Sequence, residues 1–130
     1  MSRVARAITG VAGGIVMLLG LTAAMHPAVL VQAGPGLWEI VGGPQGGRPK
    51  ICVANPLVLA QLEHRTGNCK RDVVRDAPTS AEISYTCAGG GFGTTTIEQI
   101  TPRALRIETQ GISDNAPFHY TIQARKVGNC

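Results

Sequence analysis

The chain has 130 residues, which indicates a single domain, and 44% hydrophobic against 15% charged residues exclude disorder by composition. The formal net charge is +4, and without Arg3 and Arg6, which lie in a predicted signal segment, ten basic residues oppose eight acidic ones. So small an excess gives no support for a nucleic-acid or anionic-membrane partner, and we predict that the protein binds no nucleic acid.

Residues 1–33 have the pattern of a cleavable export signal. Arg3 and Arg6 form a basic start, residues 8–21 are apolar, and small residues end the stretch. A retained membrane anchor is the competing interpretation. The apolar run is short for a bilayer span and is interrupted by glycine, so we favour cleavage and a periplasmic or secreted protein.

Two cleavage positions fit the small-residue pattern, after Ala33 and after Ala24. We prefer Ala33, because the mature domain, 34–130, then begins just before the first predicted strand. The position after Ala24 stays open, because cleavage at Ala33 leaves a long region behind the apolar run. No cysteine lies near either position, which argues against a lipoprotein anchor.

The rest of the chain predicts strands and one short α-helix. Asn55 before Pro56 is typical of a helix start, and the helix is predicted over Pro56–Arg65 with Gly67 as its stop. Alternating apolar and polar residues predict the strands. These strands cover 37–41, 50–53, 69–75, 81–87, 92–101, 104–112 and 118–125. The predicted fold is mainly β: a curled antiparallel sheet or an open, barrel-like meander with one short α-helix, two disulfides and an N-terminal signal helix.

A hairpin between Cys69 and Cys87 predicts the first of two disulfides. With Val73 opposite Ile83, the apolar side chains share one face and the two cysteines lie opposite each other. The same register places Arg71 on the core face against Tyr85, and predicts Arg75 opposite Ala81. A slip by one residue would move all of these side chains to the wrong face.

Elimination assigns the second disulfide to Cys52 and Cys130. Four cysteines behind an export signal indicate two bridges, and their spacing contains no Cys-x-x-Cys that would suggest zinc or a redox motif. The strongest rival pairing is Cys52 with Cys69, which would bracket the helix and leave Cys87 to reach Cys130. Both bridges are interpreted as structural.

No catalytic, cofactor or metal site is predicted. Gly89–Gly93 lacks the following lysine and helix of a phosphate loop. His64 is interpreted as a cation at the helix end and His119 as an outward side chain, so they form no metal pair. Trp38 is assigned to the core, although it could instead line a ligand pocket together with Tyr85.

The chain resembles a family of exported bacterial proteins known only as domain of unknown function 3617. The resemblance rests on Pro35-Gly36-Leu37-Trp38-Glu39, the four cysteines and the ending Gly128-Asn129-Cys130, and it covers essentially all of 34–130. The stretch Cys52-Val53-Ala54-Asn55-Pro56 departs from the family pattern by one extra residue before the proline. The resemblance implies an exported domain and carries no established activity.

Two classes of function remain from the sequence. The first is a non-enzymatic module of the cell envelope that binds a small apolar ligand or an envelope protein. The second is a small enzyme with a dispersed active site. Because no nucleophile, base or metal set clusters in the sequence, we predict the first.

Overall fold

The computed structural model describes residues 13–14 and 26–130. Most of the predicted signal segment lies outside these residues, together with the cleavage position after Ala24. The predicted position after Ala33 lies inside them.

Seven strands form one antiparallel sheet in the order β2-β1-β7-β6-β5-β4-β3. The last five strands form a meander, and β1 pairs with β7, which places β2 at one edge and β3 at the other. The prediction of a mainly β fold is confirmed, and the sheet is open. The strands are β1 Gly36–Val41, β2 Lys50–Val53, β3 Cys69–Ala77, β4 Ser80–Cys87, β5 Phe92–Thr101, β6 Ala104–Ser113 and β7 Ala116–Gly128.

One face of the sheet carries the hydrophobic core. Successive strand residues point to opposite faces, so the alternation in β4 to β7 directs one apolar set inward. Two short helices cover this face: α1, Ala28–Ala33, and a 3₁₀ helix, η1, Pro56–His64. The sheet and the helices together bury Val29, Leu30, Trp38, Leu57, Leu59, Ile83, Ile97, Ile107 and Ile122, among others.

The predicted hairpin register is correct as far as Val73 and then shifts. Cys69 pairs with Cys87 and Val73 with Ile83, but Arg75 pairs with Glu82 instead of Ala81. The reason is a bulge at Val74, which inserts one extra residue into the edge strand. Bulges of this kind are common at sheet edges, where they hinder pairing with a second molecule.

Both predicted disulfides are confirmed. Cys69–Cys87 closes the hairpin, and Cys52–Cys130 joins β2 to the last residue of the chain. No cysteine is left free. The rival pairing of Cys52 with Cys69 is therefore excluded.

The helix predicted over Pro56–Arg65 is a 3₁₀ helix that ends at His64 and is interrupted at Gln61 (φ −136°, ψ 43°). The predicted start is correct, because Asn55 Oδ1 accepts a hydrogen bond from Leu57 N–H at 3.1 Å. Gln61 Nε2 donates to the carbonyls of His64 and Gly67, at 2.9 and 3.3 Å. These bonds hold the last turn in a conformation that an uninterrupted α-helix would not allow.

A second helix, α1, lies where the sequence predicted the end of the signal segment. Val29, Leu30 and Ala33 are buried in the core. The apolar composition of Ala28–Ala33 resembles the tail of an export signal, and its role as a cover for the sheet appears only when the sheet is formed. The sequence predicted one short helix in the domain and a signal helix within 1–33, and it did not predict that the end of this segment packs on the sheet.

Candidate ligand-binding groove

An open groove of about 500 Å³ lies between the end of η1, the β1–β2 connection and the middle of β7. Its apolar lining is Ile40, Ile51, Leu62 and Ile122. Its polar lining includes Lys50, Glu63, Arg65, Thr66 and Tyr120. The groove therefore combines an aliphatic surface with charged groups, an arrangement typical of a site for an amphipathic small molecule.

A second cavity of about 400 Å³ continues the groove beside β2. Ile51, Arg65 and Thr66 line both cavities, and Cys52 and Val58 line the second one. Arg65 therefore lies where the two cavities meet. Together they offer an elongated surface between η1 and the edge strand β2.

The glycine-rich connection between β1 and β2 forms one wall of the groove. Gly42, Gly46 and Gly47 have positive φ values of 89°, 69° and 69°, which side-chain-bearing residues rarely adopt. The connection returns to the sheet where Ile40 N–H donates to the Pro49 carbonyl at 2.9 Å. The composition of 42–49 is thus explained by the turns that this wall requires.

Gln61 fixes the end of η1 that faces the groove. Its side chain is buried, donates to two carbonyls of the following turn and accepts a hydrogen bond from Arg71 Nη1. Arg71 lies opposite Tyr85 on the core side of β3, as predicted. The buried amide therefore has a partner for both its donor and its acceptor atoms.

Two consecutive residues at the end of η1 contact two tyrosines of the sheet. Tyr120 O–H donates to Glu63 Oε2 at 2.9 Å, and His64 Nδ1 lies 2.9 Å from Tyr85 Oη. Burial raises the pKa of Tyr85 to about 12. Burial is also the main cause of a raised pKa for Tyr120, and the hydrogen bond to Glu63 raises that pKa further. Both phenols are therefore neutral at physiological pH.

A pair of buried threonines continues this polar region into the sheet. Thr95 Oγ1 donates to the carbonyl of Ala60 at 2.7 Å and lies 3.0 Å from Thr109 Oγ1. The two hydroxyls thus join η1 to β5 and β6.

Two glycines allow His64 and Tyr85 to lie close to the sheet. A Cβ atom at Gly91 would collide with the imidazole of His64, and one at Gly93 would lie 2.8 Å from Tyr85 Oη. The sequence analysis excluded a phosphate loop at Gly89–Gly93 and assigned the segment no other role. In the structure the segment provides space for these two rings.

The two residues predicted as possible pocket lining, Trp38 and Tyr85, do not line the groove. Trp38 is completely buried, and its indole N–H has no acceptor among the described residues. Tyr85 is buried beneath His64. Trp38 therefore lies in the core, which was the first interpretation of the sequence.

The groove residues that the sequence analysis missed lie in separate elements. Glu63 and Arg65 follow the kink in η1, Lys50 begins β2, and Tyr120 lies in β7. The available signal was the alternation of β7, which placed Tyr120 on the apolar face and His119 outside. The exposed His119, which lies 3.3 Å from Glu108, confirms that alternation.

Within the described residues, no helix is long and apolar enough to cross a membrane. The same residues contain no group of three or more His, Cys, Asp or Glu side chains able to hold a metal ion. Both findings concern residues 13–14 and 26–130 only.

No family model matches the chain, and neither a curated protein nor a solved structure is found to be similar to it. The resemblance to domain of unknown function 3617 therefore stays a prediction.

Proposed function

We propose that the protein is an exported, non-enzymatic binding module that holds a small amphipathic molecule in the groove. The observation that carries this proposal is the joint lining of one cavity by four aliphatic side chains and by charged residues. The volume of about 500 Å³ lies within the range typical of small-molecule sites.

The lining chemistry supports an amphipathic ligand rather than a purely polar one. Ile40, Ile51 and Leu62 offer contact to an apolar body, and these side chains are only partly buried. Transfer of apolar surface from water into such contacts is the main favourable contribution to binding. The charged groups would orient the polar end of the ligand.

The hydrogen-bonded side chains beside the groove support binding rather than catalysis. Tyr85, with a pKa of about 12, is a poor general base at neutral pH. Thr95 donates its hydroxyl proton to a backbone carbonyl, so it is not activated as a nucleophile. The absence of enzymatic activity stays a prediction, and the dispersed-site enzyme is the alternative that an activity assay would reveal.

The two disulfides are typical of proteins that mature in an oxidising compartment. Together with the predicted signal segment they support export, and the proposal places the protein in the periplasm or outside a bacterial cell. Cys52–Cys130 and Cys69–Cys87 would both be reduced in an ordinary cytosol.

The burial of α1 supports processing after Ala24 rather than after Ala33. Cleavage after Ala33 would remove Val29 and Leu30, each only 1% exposed, from the core. It would also remove the hydrogen bond from Ala28 N–H to Asp76 Oδ1, 3.1 Å long. The proposed mature protein therefore begins at Met25 and keeps α1.

N-terminal sequencing of the protein recovered from the periplasm tests this assignment. A start at Met25 is expected. A start at Gly34 would contradict the proposed role of α1, and an intact Met1 in the cytosol would contradict export itself.

Titration of the purified protein with the apolar dye N-phenyl-1-naphthylamine tests binding in the groove. We expect saturable fluorescence enhancement. Leu62→Gln should weaken it about tenfold, because one partly buried aliphatic contact is lost. Ile100→Gln is the matched control, since Ile100 is 51% exposed and does not line the groove. Equal binding by both variants, or no binding by the parent protein, would refute the proposal.

A further inference from the structure

Two basic side chains of the groove have no acidic partner among the described residues. Lys50 and Arg65 are exposed and line the cavity, and neither lies within 4.0 Å of a carboxylate in the described part of the chain. By contrast, Arg48, on the connection above them, is paired with Glu39 at 3.4 Å. The groove therefore presents two cations that are available to a ligand.

The one carboxylate that lines the groove already has a partner. Glu63 accepts the hydrogen bond of Tyr120 O–H at 2.9 Å. This bond occupies part of the acceptor capacity of Glu63 and holds the side chain against β7. Lys50, Glu63 and Arg65 together leave the groove with an excess of one positive charge.

We propose that the ligand of the groove is a single-chain anionic amphiphile, such as a fatty carboxylate. Its head group lies between Lys50 and Arg65, and its chain lies along Ile51 and Leu62. Arg65 and Ile51 line both cavities, so one head group can be held while the chain extends along either of them. This inference rests on the proposed function, because it names the chemistry of the bound molecule.

The charge preference is expected to be moderate and sensitive to salt. Exposed ion pairs stabilise weakly, because water screens them, so two such contacts correspond to an affinity gain of about tenfold. Added salt reduces the attraction between exposed charges. The apolar contribution, by contrast, should change little with ionic strength.

Competition with the bound dye tests the inference. Decanoate, decanol and decyltrimethylammonium are compared at low salt, below the concentrations at which they form micelles. We expect decanoate to displace the dye at about a tenfold lower concentration than decanol, with decyltrimethylammonium the weakest. Inorganic phosphate alone should not displace the dye, because it has no apolar chain.

The double variant Lys50→Gln/Arg65→Gln should bind decanoate and decanol equally. Its matched control is Lys70→Gln/Arg103→Gln, which removes the same charge from two exposed residues outside the groove and should keep the preference. Equal affinity of the parent protein for decanoate and decanol would overturn the inference and leave the binding function standing. Displacement of the dye by phosphate alone would also overturn it. If none of the probes binds, the proposed function fails as well.

Discussion

The two ends of the covered sheet face differ in what holds them together. At the end beside the β3–β4 turn, α1 packs with buried aliphatic side chains, and only a few peripheral hydrogen bonds fasten it to the sheet. At the other end, the last turn of η1 is held by hydrogen bonds of Gln61, Glu63 and His64 and borders the open groove. We refer to these as the α1 end and the η1 end.

This difference between apolar packing and hydrogen bonding indicates how a small sheet can be stable and still keep an open groove. Close apolar packing at the α1 end buries Val29, Leu30 and Ala33, and no residue of α1 lines either of the two cavities described above. Hydrogen bonds at the η1 end hold the helix at a fixed position without filling the space beside it. The groove therefore lies at the end where polar contacts replace close packing.

Removal of the Cys52–Cys130 bridge should have the largest effect on stability. The Cys52–Cys130 bridge joins residues that are 78 positions apart in the sequence, whereas Cys69 and Cys87 are 18 positions apart. Chain-entropy estimates give about 4.5 kcal/mol for the longer loop and about 3 kcal/mol for the shorter one. Urea unfolding of Cys52→Ser/Cys130→Ser and of Cys69→Ser/Cys87→Ser measures both values. An equal loss in the two variants would show that loop length does not determine the contribution.

Replacement of one leucine at each end should separate stability from binding. Leu30→Ala removes a side chain that is 1% exposed and should lower the free energy of unfolding by about 3 kcal/mol. Leu62→Ala, at the groove, should lower it by only about 1 kcal/mol, because this side chain is already partly hydrated.

Dye binding should respond in the opposite order. Leu62→Ala weakens it, whereas Leu30→Ala, measured where the variant is still folded, leaves it unchanged. If Leu30→Ala weakened dye binding as strongly as Leu62→Ala, the two ends would be coupled, and packing at the α1 end would also determine binding in the groove.

The strands of the sheet could be predicted from the sequence, but the packing of the helices at its two ends could not. The meander, the Cys69–Cys87 bridge and the register as far as Val73 follow from alternation within short stretches, which is a local property, and elimination then leaves Cys52–Cys130. The packing of α1 was missed, because Val29 and Leu30 are apolar both in a signal and in a core. Their burial depends on strands that form far along the chain.

The groove could not be predicted because its residues come from distant segments. Lys50, Glu63 and Tyr120 meet through the pairing of β1 with β7 and through the kink at Gln61. Neither feature has a periodic signature. Thr95 and Thr109 were assigned to strands, but the bond from Thr95 to the Ala60 carbonyl, beside which Thr109 lies, depends on the position of η1.

Alkaline pH should weaken the η1 end selectively. The pKa of Tyr85 is raised from 10.0 to about 12 in the folded protein, and that of Tyr120 is raised as well. A raised pKa means that the folded state favours the neutral phenol. The corresponding stability is fully present below pH 10 and is lost as the pH rises through about 12.

Tyr120→Phe tests the origin of this loss. At neutral pH it should lower the free energy of unfolding by about 2 kcal/mol, because the bond to the Glu63 carboxylate is removed. Its alkaline decline should be shallower than that of the parent protein. Urea unfolding at several pH values, with phenolate absorbance recorded alongside, measures both effects. An unchanged slope would contradict the assignment of the alkaline loss to Tyr120.

Loss of the N-cap of η1 should have a small effect, because the cap lies at the start of the helix, whereas Leu62 and Glu63, which line the groove, lie near its end. Asn55→Ala removes the acceptor for Leu57 N–H and should lower the free energy of unfolding by about 1 kcal/mol. Asn68→Ala, at an exposed position, is the control and should change it by less than about 0.5 kcal/mol. Because Gln61, Glu63 and His64 fix the end of η1 independently, the affinity for the dye should remain that of the parent protein. A loss of dye binding in Asn55→Ala would show that the start of η1, as well as its end, positions the groove.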